Sequence, residues 1–125
     1  MAQSVLIVDD EPSILLALEF MMKNAGFEVR TARDGEEALK ALAEKTPDLL
    51  LLDVMMPPPD GYDVCRRVRA DPRWKGAKII MLTARGRDVE RERGLALGAD
   101  DYITKPFSTR DLMAKVRELL KAGAD

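Results

Sequence analysis

The arrangement of short apolar runs along this 125-residue chain is the feature that most limits its fold. Three runs of four apolar residues alternate with segments of helical periodicity, and turn residues separate the two kinds of segment. The runs lie at 5–8, 49–52 and 79–82, with weaker candidates at 27–31 and 102–103. Such alternation is typical of βα units that build a parallel sheet. The three runs of four are apolar on both strand faces, so we expect them at the centre of the sheet.

The two weaker candidates are expected at the edges of the sheet. Segment 27–31 alternates apolar and polar residues, and segment 102–103 is short, as edge strands often are. This assignment predicts an α/β fold with the spatial strand order 2-1-3-4-5. The order reverses direction between strands 1 and 3, and open α/β sheets bind their ligands at such a reversal, beyond the carboxyl ends of the strands.

Capping residues and helical periodicity predict five helices. Pro12 suits a first helical turn, Gly26 suits the position after a helix end, and Asp34 and Ser108 suit N-caps. The predicted helices span 12–25, 35–45, 61–70, 87–97 and a last segment that follows Ser108.

Composition limits the function classes. The length corresponds to one domain, residues 1–125. The chain has 20 basic and 22 acidic residues, a net charge of −2, which argues against a nucleic-acid surface covering the domain. No apolar run could cross a bilayer, and no secretion signal is visible. The one cysteine, Cys65, cannot form an internal disulfide, and we expect it to be a buried helix residue without a redox role. These features predict a reduced, cytoplasmic protein.

Three carboxylates follow strands that are neighbours in the predicted order. Asp9 and Asp10 come after strand 1 and Asp53 after strand 3. An acidic pair by itself is often a helix cap. Three carboxylates at one point repel one another, however, and a hard divalent cation such as Mg²⁺ relieves that repulsion. The combination therefore favours a magnesium site at this edge of the sheet.

Asp53 is the candidate nucleophile. A carboxylate can attack phosphorus to form an aspartyl-phosphate, and Mg²⁺ neutralises charge on the transferring oxygens. Lys105 would add a positive charge, and Thr83 a hydroxyl able to bind a phosphoryl oxygen. Each has a simpler explanation alone, a surface ammonium for Lys105 and a strand-end hydroxyl bonded to backbone for Thr83. Their joint position at the same edge favours the catalytic interpretation.

Five motifs cover nearly the whole chain. They are Asp9-Asp10, Leu-Leu-Asp53-Val-Met-Met-Pro57, Asp60-Gly61, Leu82-Thr83-Ala84 and the segment from Gly98 to Phe107. In this order and spacing the chain resembles the receiver domain of bacterial two-component response regulators, particularly single-domain receivers and the receivers of winged-helix transcription regulators. The resemblance implies a flavodoxin-like (βα)5 three-layer sandwich whose Asp53 accepts a phosphoryl group from a histidine kinase or phosphotransfer protein.

The resemblance also implies how the metal is held. Asp10 and Asp53 would bind Mg²⁺ directly, and Asp9 would assist through water. Met55 would contribute its backbone carbonyl, so its apolar side chain is no obstacle.

A switch follows from the same resemblance. Thr83 and Lys105 would contact the phosphoryl group, and Lys105-Pro106 would be a cis peptide. Tyr102 matches the family's switch aromatic. When the phosphoryl group draws Thr83 inward, the Tyr102 ring would enter the vacated space, and the face of helix 4, strand 5 and helix 5 would change. The simpler explanation of Tyr102 is packing of an edge strand.

The chain is expected not to be an enzyme in the conventional sense, although it would catalyse its own phosphorylation and dephosphorylation. It contains no histidine, so the phosphoryl donor must be another protein or a small acyl phosphate. The target would be a downstream protein or an output domain. The chain is either a stand-alone receiver, which we favour, or the N-terminal receiver of a longer regulator.

Two other functions stay open at this point. A pseudoreceiver would bind partners independently of phosphate, but it requires lost site residues and none is missing. A phosphatase resembling the haloacid-dehalogenase group would need Asp-x-Asp after strand 1, whereas Asp9 and Asp10 are adjacent and no cap insertion exists.

The resemblance to winged-helix regulators suggests a homodimer that forms on phosphorylation. In that branch, receivers pair through helix 4, strand 5 and helix 5. The corresponding contacts here would be Arg91 with Asp111 and Asp101 with Lys115, around Leu95. The alternative is that these are solvated helix charges, each pair worth at most about 1 kcal/mol.

Two loops depart from the common family pattern. Pro57-Pro58-Pro59 should stiffen the lip of the site, with either altered partner access or no functional effect, the latter being preferred. Trp74 lies in the loop before strand 4 and could anchor a partner, although a ring folded over its own loop is preferred.

Overall fold

The computed structural model describes residues 2–84 and 88–124, with the backbone alone for 121–124. Its sheet contains five parallel strands in the order β2-β1-β3-β4-β5, which confirms the predicted topology. The strands are β1 (Ser4–Val8), β2 (Glu28–Ala32), β3 (Leu49–Asp53), β4 (Lys78–Ala84) and β5 (Asp101–Lys105). Every residue of β1 and β3 is buried, as expected of strands covered on both faces.

The five helices lie close to their predicted bounds. They are α1 (Pro12–Asn24), α2 (Gly35–Glu44), α3 (Gly61–Ala70), α4 (Asp88–Ala96) and α5 (Thr109–Ala124). The N-caps are those that the sequence predicts: the Asp34 carboxylate accepts the Glu37 N–H at 2.8 Å, and the Ser108 hydroxyl accepts the Asp111 N–H at 3.0 Å. The predicted start of helix 4 at residue 87 lies outside the described residues.

The sequence prediction for the last strand was too short. The apolar pattern marks only 102–103, whereas β5 has five residues and ends at Lys105. Register with β4 explains the difference, because Asp101 pairs with Ile80 and Lys105 with Ala84. Backbone hydrogen bonds to a neighbour extend an edge strand through polar residues that the apolar pattern cannot identify.

Alternation along the strands divides the core into two layers. The first layer packs on α2 and α3 and includes Leu6, Leu50 and Met81. The second packs on α1 and α5 and includes Ile7, Leu51 and Leu82. Helix α4 covers the first face, because a Cβ at Gly94 would lie 3.2 Å from the Met81 side chain. The result is the predicted three-layer sandwich.

Two residues with alternative interpretations are buried. Trp74 is 7% exposed and belongs to the first core layer, with the Arg73 guanidinium 4.8 Å from its ring centroid. The ring is therefore buried in its own domain and is not an exposed partner anchor; the sequence had favoured a ring folded over its own loop. Cys65 is buried in α3, and burial raises the pKa of its thiol, which disfavours the reactive thiolate.

The proline loop packs against the start of α2. A Cβ at Gly35 would lie 2.7 Å from the Pro59 ring and would also overlap the Pro59 carbonyl. The Pro58-Pro59 peptide is cis, and so is Lys105-Pro106, which the resemblance implied. Pro59 thus packs the loop that follows β3 against the start of α2, and this contact leaves room only for glycine at position 35.

Two large apolar side chains of α1 are exposed. Leu16 is 67% and Phe20 71% exposed, and both line a groove of about 810 Å³ between α1 and α5. The sequence did not indicate this surface, because both residues continue the apolar stripe of an amphipathic helix. Within the described chain, no helix combines the length and apolar character that a membrane crossing requires.

Gly61 provides a test of how tightly the fold holds Asp53. A Cβ at Gly61 would lie 2.8 Å from the Val54 Cα and would overlap the Asp53 carbonyl. We expect Gly61→Ala to lower the free energy of unfolding by about 1–3 kcal/mol, since the backbone of β3 or α3 must move. Urea unfolding measures this. The control Gly76→Ala, where nothing lies within 4 Å of the added Cβ, should change stability little; equal losses in the two variants would contradict the close approach.

Candidate functional site

The carboxyl ends of the parallel strands bring the predicted site residues to one edge of the sheet. Asp9 directly follows β1, and Asp53 and Lys105 end β3 and β5. Register aligns them, because Val8 pairs with Leu52 and residues 53 and 105 pair with residues 82 and 84 of β4. Asp9, Asp53 and Lys105 also share the side-chain alternation of the second core layer. Their side chains therefore emerge on the same side of the sheet.

The three predicted metal-binding carboxylates lie together. One oxygen from each of Asp9, Asp10 and Asp53 falls within a span of 4.8 Å. Asp9 is fully buried and Asp53 is 3% exposed, whereas Asp10 faces solvent. Like charges this close and this poorly hydrated repel strongly.

The Lys105 ammonium is shared by the two buried carboxylates. Its Nζ donates to Asp9 Oδ2 at 2.9 Å and to Asp53 Oδ1 at 3.2 Å. Burial alone lowers the pKa of Lys105, but the hydrogen bond to Asp9 and the charges of both carboxylates outweigh burial and raise it. Lys105 therefore stays charged at neutral pH.

Asp53 is held in an environment that opposes its ionisation. Burial is the largest influence, and the charge of Asp9 adds to it, so the pKa of Asp53 rises from 3.8 to about 7. Lys105 acts in the opposite direction, as does the Met55 N–H, which donates to Asp53 Oδ1 at 3.4 Å. Lys105 and the Met55 N–H therefore offset only part of the effects of burial and of the Asp9 charge on Asp53.

A divalent cation suits this cluster of carboxylates. Among the described residues, a single ammonium contacts the two buried carboxylates, and the third carboxylate lies within reach of the same point. Both Asp9 oxygens already accept hydrogen bonds, one from Lys105 and one from the Glu11 N–H at 2.9 Å. Asp10 and Asp53 are therefore the carboxylates better placed for direct ligation. Hard oxygen donors of this kind suit Mg²⁺.

Thr83 lies beside this group, but its side chain is on the opposite face of the sheet from those of Asp9, Asp53 and Lys105. It is 3% exposed and occupies β4 next to Leu82, the register partner of Asp53. In the part of the chain that is described, no hydrogen bond joins Thr83 to Asp9, Asp53 or Lys105. The hydroxyl is near the edge without being tied to the carboxylates.

Tyr102 and the proposed dimer-face residues lie on α4, β5 and α5. Arg91 Nη1 donates to the Tyr102 hydroxyl at 3.1 Å. Lys115 Nζ contacts both Asp101 oxygens at 3.2 Å, so this pair forms within one chain. Leu95 is 42% exposed and Asp111 is exposed, as an interface would require.

Sequence reasoning missed two local supports of Asp53. One is the Met55 N–H, and the other is Gly61, whose missing side chain lets α3 approach the Asp53 backbone. The pair Asp60-Gly61 was a usable signal, because an N-cap followed by glycine marks a helix start with room for close packing. Asp60 indeed forms a reciprocal capping box with Asp63.

The raised pKa of Asp53 predicts a pH-dependent gain in stability for Asp53→Asn without metal. The protonated carboxyl is favoured in the folded state, and this advantage is present below 3.8 and lost as pH rises to about 7. Asparagine keeps a neutral group throughout. We therefore expect the melting temperature of Asp53→Asn to exceed that of the parent by a few degrees above pH 7, and the difference to shrink toward pH 4. Thermal unfolding with a chelator present measures it; a difference independent of pH would contradict the assignment.

Comparison with known proteins agrees with this geometry. Residues 5–117 match the model of the response regulator receiver domain. The chain is 48% identical over 121 residues to the phosphate regulon transcriptional regulatory protein PhoB of Rhizobium meliloti (strain 1021), covering 97% of this chain and 53% of that protein. The chain thus spans about half the length of this relative.

Solved structures show the same fold. A putative response regulator from Chloroflexus aurantiacus J-10-fl superposes with a TM-score of 0.93 at 41% identity, covering 97% of this chain and 99% of that one. The chemotaxis response regulator CheY4 of Vibrio cholerae gives a TM-score of 0.89 at 33% identity, covering 95% and 99%. The chain therefore belongs to the response regulator receiver domain family.

Proposed function

We propose that this chain is a phosphorylation-activated receiver of a two-component phosphorelay, and that Asp53 accepts the phosphoryl group from a histidine kinase or phosphotransfer protein. The observation that carries the proposal is the buried Asp53 carboxylate, which shares the Lys105 ammonium with Asp9 beside the exposed Asp10. A purely structural ion pair would need one carboxylate for its ammonium, whereas here two carboxylates share it and a third lies beside them.

In the proposed reaction, an Asp53 oxygen attacks phosphorus. An acyl-phosphate O–P bond forms, and the bond from phosphorus to the donor's imidazole nitrogen, or to the acetate oxygen of acetyl phosphate, breaks. The leaving atom keeps the electron pair, and the imidazole takes a proton from solvent. The Lys105 ammonium then contacts the new phosphoryl oxygens, and the Thr83 hydroxyl donates a hydrogen bond to one of them. Water later cleaves the acyl phosphate and releases inorganic phosphate.

Mg²⁺ would be held by Asp10 and Asp53 directly, by Asp9 through water and by the Met55 carbonyl. When bound, this ion neutralises charge on the phosphoryl oxygens. The same charge lowers the pKa of Asp53 and so favours its nucleophilic, ionised form. Asp9 holds Lys105 at 2.9 Å and thereby keeps the ammonium beside the attacking oxygen.

The proposed output is a change at the face of α4, β5 and α5. Thr83 lies on the same sheet face as Tyr102, because Met81 pairs with Tyr102 and Thr83 with Thr104. Movement of Thr83 toward a phosphoryl group opens space on that face, and the Tyr102 ring can enter it. The phosphate thereby shifts a pre-existing equilibrium.

The face would then signal to a downstream protein or to an output domain. The relative in Rhizobium meliloti is a transcriptional regulatory protein about twice as long as this chain. A phosphorylation-dependent homodimer through Arg91, Leu95 and Asp111 suits such an output. Neither the pseudoreceiver nor the haloacid-dehalogenase alternative finds support in the comparisons.

The acceptor role predicts covalent labelling at a single residue. Acetyl phosphate with Mg²⁺ should add one phosphate to the parent protein and none to Asp53→Asn, because in this proposal Asp53 alone both contacts the Lys105 ammonium and binds the metal directly. Intact-mass spectrometry measures the addition. Asp71→Asn, at the end of α3, is a matched control that should label like the parent. An unlabelled parent, or a labelled Asp53→Asn, would overturn the receiver assignment.

The different proposed roles of Lys105 and Asp10 predict different defects, loss of the switch response for one and loss of metal binding for the other. Lys105→Ala should keep Mg²⁺ affinity within roughly threefold of the parent or improve it, since removing the ammonium leaves the carboxylates more negative. It should, however, lose the phosphorylation-induced NMR shifts around Tyr102. Asp10→Ala should lose Mg²⁺ binding measured by calorimetry. If Lys105→Ala abolishes metal binding, these roles are wrong.

The proposed dimer predicts a change of mass on activation. Sedimentation velocity at micromolar concentration should give a monomer without phosphate and a dimer with beryllofluoride. Asp111→Arg should weaken the dimer at least roughly fivefold, because both symmetry-related Arg91–Asp111 ion pairs are lost. Adding Arg91→Glu should restore it by reversing the pair. An activated parent that stays monomeric would instead indicate signalling to a different protein.

A further inference from the structure

The Tyr102 ring is contacted by cations from both helices that flank β5. The Arg91 guanidinium carbon of α4 lies 5.0 Å from the ring centroid, and Lys115 Nζ of α5 lies 5.4 Å from it. Both distances fall within the range of cation–π attraction. The ring therefore joins three elements of the face that the proposed function uses for output.

The two cations differ in how strongly they depend on Tyr102. Lys115 is fixed independently, because it binds both oxygens of Asp101, whose Oδ1 also accepts the Tyr102 N–H at 2.8 Å. Moving the Tyr102 ring would leave that ion pair intact. Lys115 thus contributes to the ring's surroundings without being released by its motion.

Among the described residues, by contrast, Tyr102 makes the main contacts that hold Arg91. It contacts the ring and donates to the hydroxyl at 3.1 Å. Its other described ion-pair contact, with Asp88 Oδ1, is 3.9 Å long, and the Asp88 side chain is 80% exposed. An exposed pair at that distance contributes little. Arg91 and Tyr102 therefore hold each other in place.

Movement of Tyr102 toward Thr83 must break this contact. The hydroxyl is bonded to α4, whereas Thr83 lies on the neighbouring strand two register positions further toward the carboxyl edge. The ring cannot turn along the sheet and keep its hydroxyl on Arg91 unless α4 moves as well.

Resting on the proposed function, we propose that Arg91 is a positioning residue that holds Tyr102 in its outward position and so sets the basal balance of the switch. Phosphorylation at Asp53 works against this contact. The same movement that carries Tyr102 inward frees the Arg91 guanidinium on the output face, where it can meet an acidic group of a partner. The contact therefore both restrains the switch and masks a binding cation.

Fluorine NMR with 3-fluorotyrosine tests the proposal directly, since the chain has only two tyrosines, Tyr62 and Tyr102. Arg91→Met should shift the Tyr102 resonance of the unphosphorylated protein toward its beryllofluoride-bound position. It should also raise beryllofluoride affinity by roughly two- to fivefold, because less work is needed to reach the activated state. Measurement at concentrations where sedimentation gives a monomer removes any contribution from dimer formation.

The chain offers a matched control on the same helix. The Arg93 guanidinium lies 4.2 Å from the Tyr62 ring centroid, so Arg93→Met removes an equivalent cation–π contact elsewhere. It should move the Tyr62 resonance and leave Tyr102 and beryllofluoride affinity unchanged. Equal effects of the two variants on Tyr102 would indicate general loosening of α4 and overturn the proposal.

A double-mutant cycle separates positioning from bulk structure. If Arg91 acts through the Tyr102 hydroxyl and ring, then Arg91→Met should change beryllofluoride affinity less in a Tyr102→Phe background than in the parent. Additive effects would count against the contact. A parent that binds no beryllofluoride and takes no phosphate would refute the proposed function itself, whereas an activatable parent with an unmoved Tyr102 resonance in Arg91→Met refutes only this inference.

Discussion

The repulsion between two buried carboxylates is the constraint on which the rest of this receiver depends. Asp9 and Asp53 are removed from water at neighbouring strand ends and share one ammonium, Lys105, at 2.9 and 3.2 Å. The sheet can hold them there because most of its other buried side chains are apolar and pack in two layers against the helices. Burial, followed by the charge of Asp9, raises the pKa of Asp53 to about 7, because Lys105 offsets only part of these two effects.

A few direct contacts connect the carboxylate site to the proposed output face. Lys105 ends β5, the strand that also carries Tyr102. Thr83 lies one strand away on the face covered by α4, and Arg91 of α4 bonds the Tyr102 hydroxyl. A change of charge at Asp53 is thus within a few contacts of a hydrogen bond that ties α4 to β5. Coupling over such a path needs no large rearrangement, only two arrangements of similar energy.

Most of the architecture was predictable because it follows from periodicity and capping. Three runs apolar on both faces identified the central strands, and Asp34 and Ser108 cap their helices as predicted. The extent of β5 was not predictable in this way. Its polar residues join the sheet through backbone pairing with β4, and side-chain hydropathy carries no record of that pairing. The exposed Leu16 and Phe20 illustrate the same limit, since hydropathy alone cannot say which side of an apolar helix is covered.

The sequence by itself determined the fold class and the strand order. It also determined that Asp9, Asp10, Asp53, Thr83 and Lys105 meet at one sheet edge, because the carboxyl ends of parallel strands all lie at the same edge. Only the tertiary structure decided how these groups divide their contacts. Lys105 binds Asp9 as well as Asp53, Asp10 stays in solvent, and Arg91 bonds Tyr102 while Lys115 bonds Asp101 of its own chain. Such choices depend on distances of a few tenths of an ångström and on burial, which arise from packing of distant segments and leave no periodic trace in the sequence.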